Sequence, residues 1–520
     1  MKQVIRENKH FIILISLTAI VTTLTSLIAP ILLQIAQKDK TLNGNLLVII
    51  FLAMLSSFII QMFIMVYKEN YAAKFNTDYL FNLLTKMYDL EYDAFLKLES
   101  SYLINRIFSA VDALYQFLIS SFSTGVRSGF TIILSLTLIH FISIKLSFFM
   151  FLLIPINYFG FRYINKQLKQ RLNDMQKSAA QTNKNLIATF GNHDAVKIQL
   201  NAQTLHHLLY VNISDMYQTV AKLNKFAQTT SSFLTFLNQT FQTFVLIQTS
   251  LLISQNQLPL ANLIIVSILL PLFFASLGDL TKMNIDYNTL TSTRDFIETD
   301  LDQNLEIKGN QSIEQITTLS LKNPSFHLQE EIFGYTIDIE MEKGDIIYLT
   351  GKSGCGKSSL LKLLLQFRHS EGIYINQMPI NQILQTSLRA KIGYLSQNPL
   401  ILTATIEENI GLGTKLTSSQ KEYLRNTKIL EPIFETKSWD TLLTENGSNL
   451  SGGEKQRLAI ARLLMTDADL YILDECTSNI DEEASLHIFK TLLSHAEGKI
   501  VIYTSHDQTN QIHATKTIKL

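Results

Sequence analysis

The 520-residue chain has only two cysteines, Cys355 and Cys476. Two thiols cannot build a disulfide framework, so they are expected to be small buried or half-buried thiols in a reducing compartment. Net charge is also missing, because 44 Lys and Arg residues balance 44 Asp and Glu. Without a basic excess, nothing asks for nucleic acid as a partner. Proline is absent from two long polar stretches, 67–124 and 165–229, so no residue there forces a helix to break. Charge is thin over roughly the first 280 positions, where apolar residues crowd. The chain is too long for one ordinary core, and at least two domains are expected.

Six apolar stretches occupy about 11–35, 46–66, 125–143, 146–164, 230–254 and 258–278. Each is near the ~20 residues that cross a bilayer as a helix. Several carry polar groups, among them Thr22, Thr23, Thr25, Gln61, Asn238, Gln239 and Gln242. A purely lipid-facing helix needs none of these, so they point to other helices or to a wet cavity. Lys2, Arg6 and Lys9 precede the first stretch as they would in a signal peptide. That run is long, however, and no small-residue cleavage site follows, so a retained helix is expected. The short connections near 37–45, 144–145 and 255–257 hold few basic residues, whereas 67–124 and 165–229 hold many. The basic side faces the cytoplasm, which puts both termini and both long stretches there. The long stretches read as spanning helices prolonged beyond the bilayer.

After a polar linker at 299–312, the pattern changes from about residue 313. "GDIIYLTGKSGCGKSSLLKLLL" is an apolar strand, a glycine loop and a helix. Residues 351–358 fit G-x-x-x-x-G-K-[ST], in which backbone amides cradle a β-phosphate. Gly351, Lys352, Ser353, Gly354, Cys355, Gly356 and Ser359 form or flank that cradle. Lys357 would reach the β- and γ-oxygens, and the Ser358 hydroxyl would bind Mg2+. "DADLYILDECTSNID" adds a buried-strand run ending in Asp474 and Glu475. Asp474 would support the metal shell through water, and Glu475 would polarise an attacking water as a general base. Gln397 and His506 each follow a further strand. Gln397 can reach the metal or the water, and His506 the γ-phosphate, because ligands of open α/β sheets bind at those strand ends.

One element stays unexplained by a single chain. "NLSGGEKQRLAIAR" places Ser451, Gly452 and Gly453 at the start of a helix, a second anion site remote from the first. With "LSGGEKQR" the chain resembles a half-size ABC transporter of the exporter type, and the resemblance covers nearly the whole length. It implies an α-helical six-span membrane domain (1–298), the linker, and an α/β P-loop NTPase domain of the ABC ATPase kind (313–520). It implies ATP and Mg2+ as cofactors. It also implies a head-to-tail dimer, in which Ser451 and Gly453 of one chain complete the site on the other chain's glycine loop. Asp481, a short turn past Glu475, joins the nucleotide-binding set. Hydrolysis would then loosen a dimer glued by ATP. The turns near Phe95–Tyr102 and Leu186–Lys197 would be coupling helices.

The chain departs from the family where an aromatic usually stacks on adenine. Phe326, His327 and Tyr335 compete there, and Leu328 can occupy the spot. Glu475 and His506 are both present, which suits a homodimer, although a paralogue as partner stays open. The region around the signature is similar to bacterial peptide, bacteriocin and multidrug exporters. The first span begins at Phe11 and neither cysteine is placed as a protease nucleophile, so a peptide cargo is expected to go untrimmed. The implied function is ATP-driven export of a peptide or amphipathic small molecule across a bacterial cell membrane, with lipid and cargo as further partners. The alternative is a regulatory or channel-like module that hydrolyses ATP without pumping, but no span carries anything like a selectivity ring.

Overall fold

The computed structural model describes residues 9–28, 30–32, 44–191, 193–328, 331–477, 480–505 and 508–520. The chain divides into two compact units. The first comprises 1–90 and 94–305, and the second 91–93 and 306–520.

The first unit is helical. Its long helices are Gly44–Tyr88, Ile144–Phe190, Ala202–Ser254 and Ala261–Phe296. Gly44–Tyr88 alone has 45 residues, about 68 Å at the rise of an α-helix. These helices run on past their apolar stretches. Short helices Tyr92–Leu98 and His193–Gln199 lie close to the expected turns. Ser100–Tyr115 and Phe122–Ile142 are joined by a π-helix over Gln116–Ser121. The interior is apolar, with Leu269, Phe273, Ile139, Met150 and Leu153 all buried. Large apolar side chains also point outward, including Phe51, Phe63, Phe141 and Phe148. Water would not tolerate so wide an apolar surface, and a bilayer would cover it.

By length and hydropathy, four helical stretches among the described residues qualify as spans: Val48–Tyr88, Ser100–Ile142, Ile144–Phe190 and Ala261–Asn304. The expected six are not all recovered by this measure, for two physical reasons. The first apolar helix, counted as Lys9–Thr25, is too short by itself, and 29 and 33–35 of the expected stretch lie outside the described residues. The fifth stretch lies in Ala202–Ser254, where Thr229, Thr230, Asn238, Gln239 and Gln242 dilute the hydropathy. The 299–312 segment begins as a continuation of helix, through a π-turn at Ile297–Leu301 and a 3-10 turn at Asp302–Asn304.

The second unit contains two sheets. One is built from β1 (Thr318–Leu328), β2 (Glu331–Gly334), β3 (Asp338–Glu342), β5 (Ser370–Ile375) and β6 (Met378–Pro379). Its ladders are antiparallel. The other has the order β10–β4–β9–β8–β7 and is parallel throughout. Its strands are β4 (Ile346–Thr350), β7 (Ile392–Leu395), β8 (Leu470–Asp474), β9 (Ile500–Thr504) and β10 (Lys516–Lys519). Every residue of β8 and β9 is buried, as a parallel sheet covered on both faces requires. Side chains alternate between two cores at period two. Ile347, Leu349, Ile472 and Ile502 enter one core, and Tyr348, Tyr471, Leu473 and Tyr503 the other. The parallel order brings the C-terminal ends of β4, β9, β8 and β7 to one edge.

Candidate functional site

At that edge, residues 351–356 connect β4 to the helix Lys357–Leu364. Gly356 caps this helix at φ 98°, a conformation that only glycine adopts without strain. A Cβ there would also lie 2.8 Å from the Tyr335 hydroxyl oxygen. That hydroxyl donates to the Gly356 carbonyl at 3.0 Å. Lys357 Nζ donates to the carbonyls of Gly351 (2.9 Å) and Lys352 (3.3 Å). The ammonium is therefore folded over its own loop, with one of its three N–H groups left over. Ser358 and Ser359 sit in the first turn of the helix.

Beside the loop, three strand ends are tied together. Gln397, two residues past β7, donates through Nε2 to Glu475 Oε2 at 2.6 Å. The Glu475 N–H donates to Thr504 Oγ1 at 2.9 Å. Thr504 Oγ1 donates in turn to Asp474 Oδ1 at 2.8 Å. Register explains the meeting, since Asp474 and Thr504 are partners in the β8–β9 ladder. Asp474 is buried, and Thr504 is 1% exposed. Glu475 has φ 51°, a left-handed backbone of the kind held at functional sites at a cost of about 1–3 kcal/mol. Burial, and then the Asp474 carboxylate, push the Tyr394 phenol up to about 12. His506 lies outside the described residues.

The signature forms a separate construction. Ser451 caps the helix Gly452–Leu463 with a reciprocal capping box. Its Oγ accepts the Glu454 N–H at 3.2 Å, and Glu454 Oε2 accepts the Ser451 N–H at 2.7 Å. Lys437 Nζ holds the other Glu454 oxygen at 2.8 Å. Burial works against the charged form of Glu454. The Lys437 bond and the bonds from Ser451 outweigh it and keep the carboxyl below the usual range. Ser451 Oγ accepts the Glu454 N–H, and its own O–H turns back to the Glu454 carboxylate. The Gly452 and Gly453 amides belong to the first turn, where helix N–H groups have no intrahelical partner. Asp481 caps the helix Glu482–His495, and its Oδ1 lies 3.6 Å from Arg457 of the signature helix. Among the described residues, no hydrogen bond joins Ser451, Gly452 or Gly453 to residues 351–358. The structure thus assembles the glycine loop, Gln397, Asp474 and Glu475 on one edge and the signature elsewhere.

Two family models match this chain. The ABC transporter transmembrane region matches residues 11–277, and the ABC transporter model matches 335–478. The chain belongs to the ABC transporter family. A Bacillus subtilis relative, the uncharacterized ABC transporter ATP-binding protein YfiC, is 24% identical over 96% of this chain and 85% of its own. The mesentericin-Y105 transport/processing ATP-binding protein MesD of Leuconostoc mesenteroides is 25% identical over 97% of this chain and 72% of its own. Relatives of higher identity align over less. A probable ABC transporter ATP-binding/permease protein of Haemophilus influenzae is 34% identical over 39% of this chain. With that protein and three others the alignment spans between 26% and 38% of the relative's length. The fold matches a solved bacterial Atm1-family ABC exporter with ATP bound, at TM-score 0.86 and 18% identity, over 99% of this chain and 94% of that one.

Two features of this ABC transporter escape a reading of its sequence. Thr504 bridges Asp474 and Glu475, and only its place two residues before His506 hints at a role. Tyr335, a candidate adenine stacker by sequence, lies against the glycine loop. Of its rivals, Phe326 is buried against Phe333 and His327 is exposed. The donor set fits a hydrated magnesium ion. No cluster of three or more His, Cys, Asp or Glu side chains among the described residues could cage a metal. Mg2+ keeps several waters and takes few protein ligands besides phosphate oxygens.

The thiols give a direct check on this geometry. Cys476 is buried, and burial pushes its thiol up to about 12. At pH 8 its reactive thiolate is then about one part in ten thousand. Cys355, on the glycine loop, is half-buried. Maleimide at pH 8 should label Cys355 first and reach Cys476 only on unfolding, as read by peptide mass. Equal labelling rates would contradict the burial.

Proposed function

We propose that this chain is half of an ATP-driven exporter that moves a peptide or amphipathic small molecule out of the cytoplasm. The observation that carries the reading is the division of the site. A glycine loop lies with Gln397, Asp474 and Glu475 at one sheet edge, and a capped signature helix stands apart from it. In the proposed dimer, each signature faces the partner's glycine loop, giving two shared ATP sites. Residues 351–359 would hold the phosphates. Ser358, Gln397 and water on Asp474 would hold Mg2+, which when bound neutralises phosphate charge. Lys357 would leave the carbonyls of Gly351 and Lys352 and turn to the phosphate oxygens. Glu475 would take the proton of the attacking water, with Gln397 orienting the carboxylate. His506 would contact the γ-phosphate. Ser451 would turn its O–H from Glu454 to the phosphate across the dimer interface, and Asp481 would steady the signature helix there.

In this reading the helical unit contributes six spans, counting Lys9–Ser26 and the apolar end of Ala202–Ser254. The ATPase half and both termini are cytoplasmic, and the host is a bacterium. The short helices Tyr92–Leu98 and His193–Gln199 would transmit closure of the ATPase halves to the spans. Relatives named for bacteriocin transport and for lipid A-core flipping agree with export and leave the cargo class open. The test is ATP turnover by the purified protein in nanodiscs, alone and with peptides, lipids and cationic dyes. Turnover by the lone protein, raised by one class of compound, is expected for a homodimer. No turnover above a Glu475→Gln blank would contradict the homodimer.

A further inference from the structure

A cavity of about 490 Å3 opens in the helical unit among Lys9–Ser26, Gly44–Tyr88 and residues 115–127. It is within the size range of small-molecule sites. Its wall carries three charged side chains, Lys68, Glu69 and Arg127. By the apolar stretches of the sequence, Lys68 and Glu69 lie just past 46–66 and Arg127 near the start of 125–143, so the cavity sits at the cytoplasmic end of the spans.

The three charges are differently committed. Lys68 Nζ donates to Ser123 Oγ at 2.7 Å and to the Ile119 carbonyl at 3.2 Å. Both partners are neutral, so the ammonium is fixed in place with its third N–H available, and Glu69 is the acid whose charge acts on it. Arg127 forms no ion pair among the described residues. Glu69 is the one acid, and both its oxygens accept from the Tyr115 hydroxyl, at 3.1 and 2.9 Å. Two cations against one already bonded carboxylate leave the cavity electropositive.

The wall is also built abnormally. Residues 116–121 form a π-helix, a rare widened turn that tends to occur at functional sites. Ile119 and Ser123, the two partners of Lys68, lie in and just after it. Ile64 and Met65 supply an apolar surface beside the charges, and methionine adapts to varied shapes.

We propose that this cavity binds an amphipathic molecule through an anionic head, a carboxylate in the first instance, held between Lys68 and Arg127 with its apolar body on Ile64 and Met65. The proposal rests on the export reading for its biological sense, since such a molecule would be the cargo. A cationic amphiphile would meet a net like charge and is selected against.

The test uses the full-length protein in phosphatidylcholine nanodiscs without nucleotide. N-dansyl-leucine is the probe, with its neutral amide and dansylcadaverine for comparison, and binding is read by fluorescence. The acid should bind about tenfold or more tightly than the amide, as a charge-assisted contact allows. Lys68→Gln and Arg127→Gln should each weaken the acid by a similar factor. Lys68→Arg should retain binding, which also shows that the site still folds. Lys74→Gln, an exposed charge on the same helix, should change nothing. Equal binding of acid and amide, or wild-type affinity in both glutamine variants, would overturn the proposal. Phosphatidylglycerol added to the disc separates two sources of the anion. Displacement of the probe would assign the site to lipid, and persistence to a soluble carboxylate. Because no ATP is present, the result is independent of turnover. Failure of the homodimeric exporter reading would show instead as no hydrolysis above the Glu475→Gln blank.

Discussion

Replacing Glu475 with glutamine should lower ATP turnover between about a hundredfold and ten-thousandfold, the range of a lost general base. Nucleotide binding should survive, because the substitution keeps the surrounding bonds. Gln397 donates to Glu475 Oε2 at 2.6 Å, and a glutamine carbonyl can accept the same bond. The backbone bond from residue 475 to Thr504 Oγ1 is untouched. The edge of the sheet therefore keeps its shape while the group that takes the proton disappears. Binding of a fluorescent ATP analogue should stay within about threefold of wild type, a small change on the scale of a lost contact. Turnover near the wild-type rate would mean that another group is the base.

Thr504→Val should be strongly destabilising. Valine matches threonine in shape, so the core is not opened. The lost hydroxyl deprives the buried Asp474 carboxylate of one donor and orphans the Glu475 N–H. With one bond to a charged acceptor and one between neutral groups, the loss should be about 2–4 kcal/mol. Thr504→Ser keeps the hydroxyl and should lose far less. Thermal unfolding of the two variants checks this. Turnover in Thr504→Val should also fall, because Glu475 holds a left-handed backbone that its bond to Thr504 helps to fix. If valine and serine behave alike, the hydroxyl is not the link between the two acids.

Much of the site is legible because its signals are local. The glycine loop, the strand before it and the helix after it fall within a short run, and glycine, lysine and serine are each demanded by one contact. The acids at 474 and 475 follow a short continuous apolar run that reads as a buried strand. Thr504 is different. Its role exists only once β8 and β9 pair in the register that sets it against Asp474, thirty residues away. Tyr335 likewise depends on where β2 leaves the chain relative to the loop. The register of β1 with β2 sets Phe326 against Phe333, which no propensity reveals. Hydropathy, which marked the membrane helices, works least well where helices are polar on one side. That explains why Ala202–Ser254 reads as a span by pattern and fails as one by average hydropathy.

In the proposed dimer, one chain's signature completes the other's glycine loop. Lys357→Ala should disable the loop, and Ser451→Arg should block the signature. Each variant alone should be inactive. Co-expressed in equal amounts, half of the dimers carry one of each. In those, one of the two shared sites pairs an intact loop with an intact signature. Turnover should return to about a quarter of wild type for independent sites in a twofold dimer. If the mixture stays as inactive as either parent, the signature serves its own chain or the two sites cannot work singly, and the account of independent shared sites is contradicted.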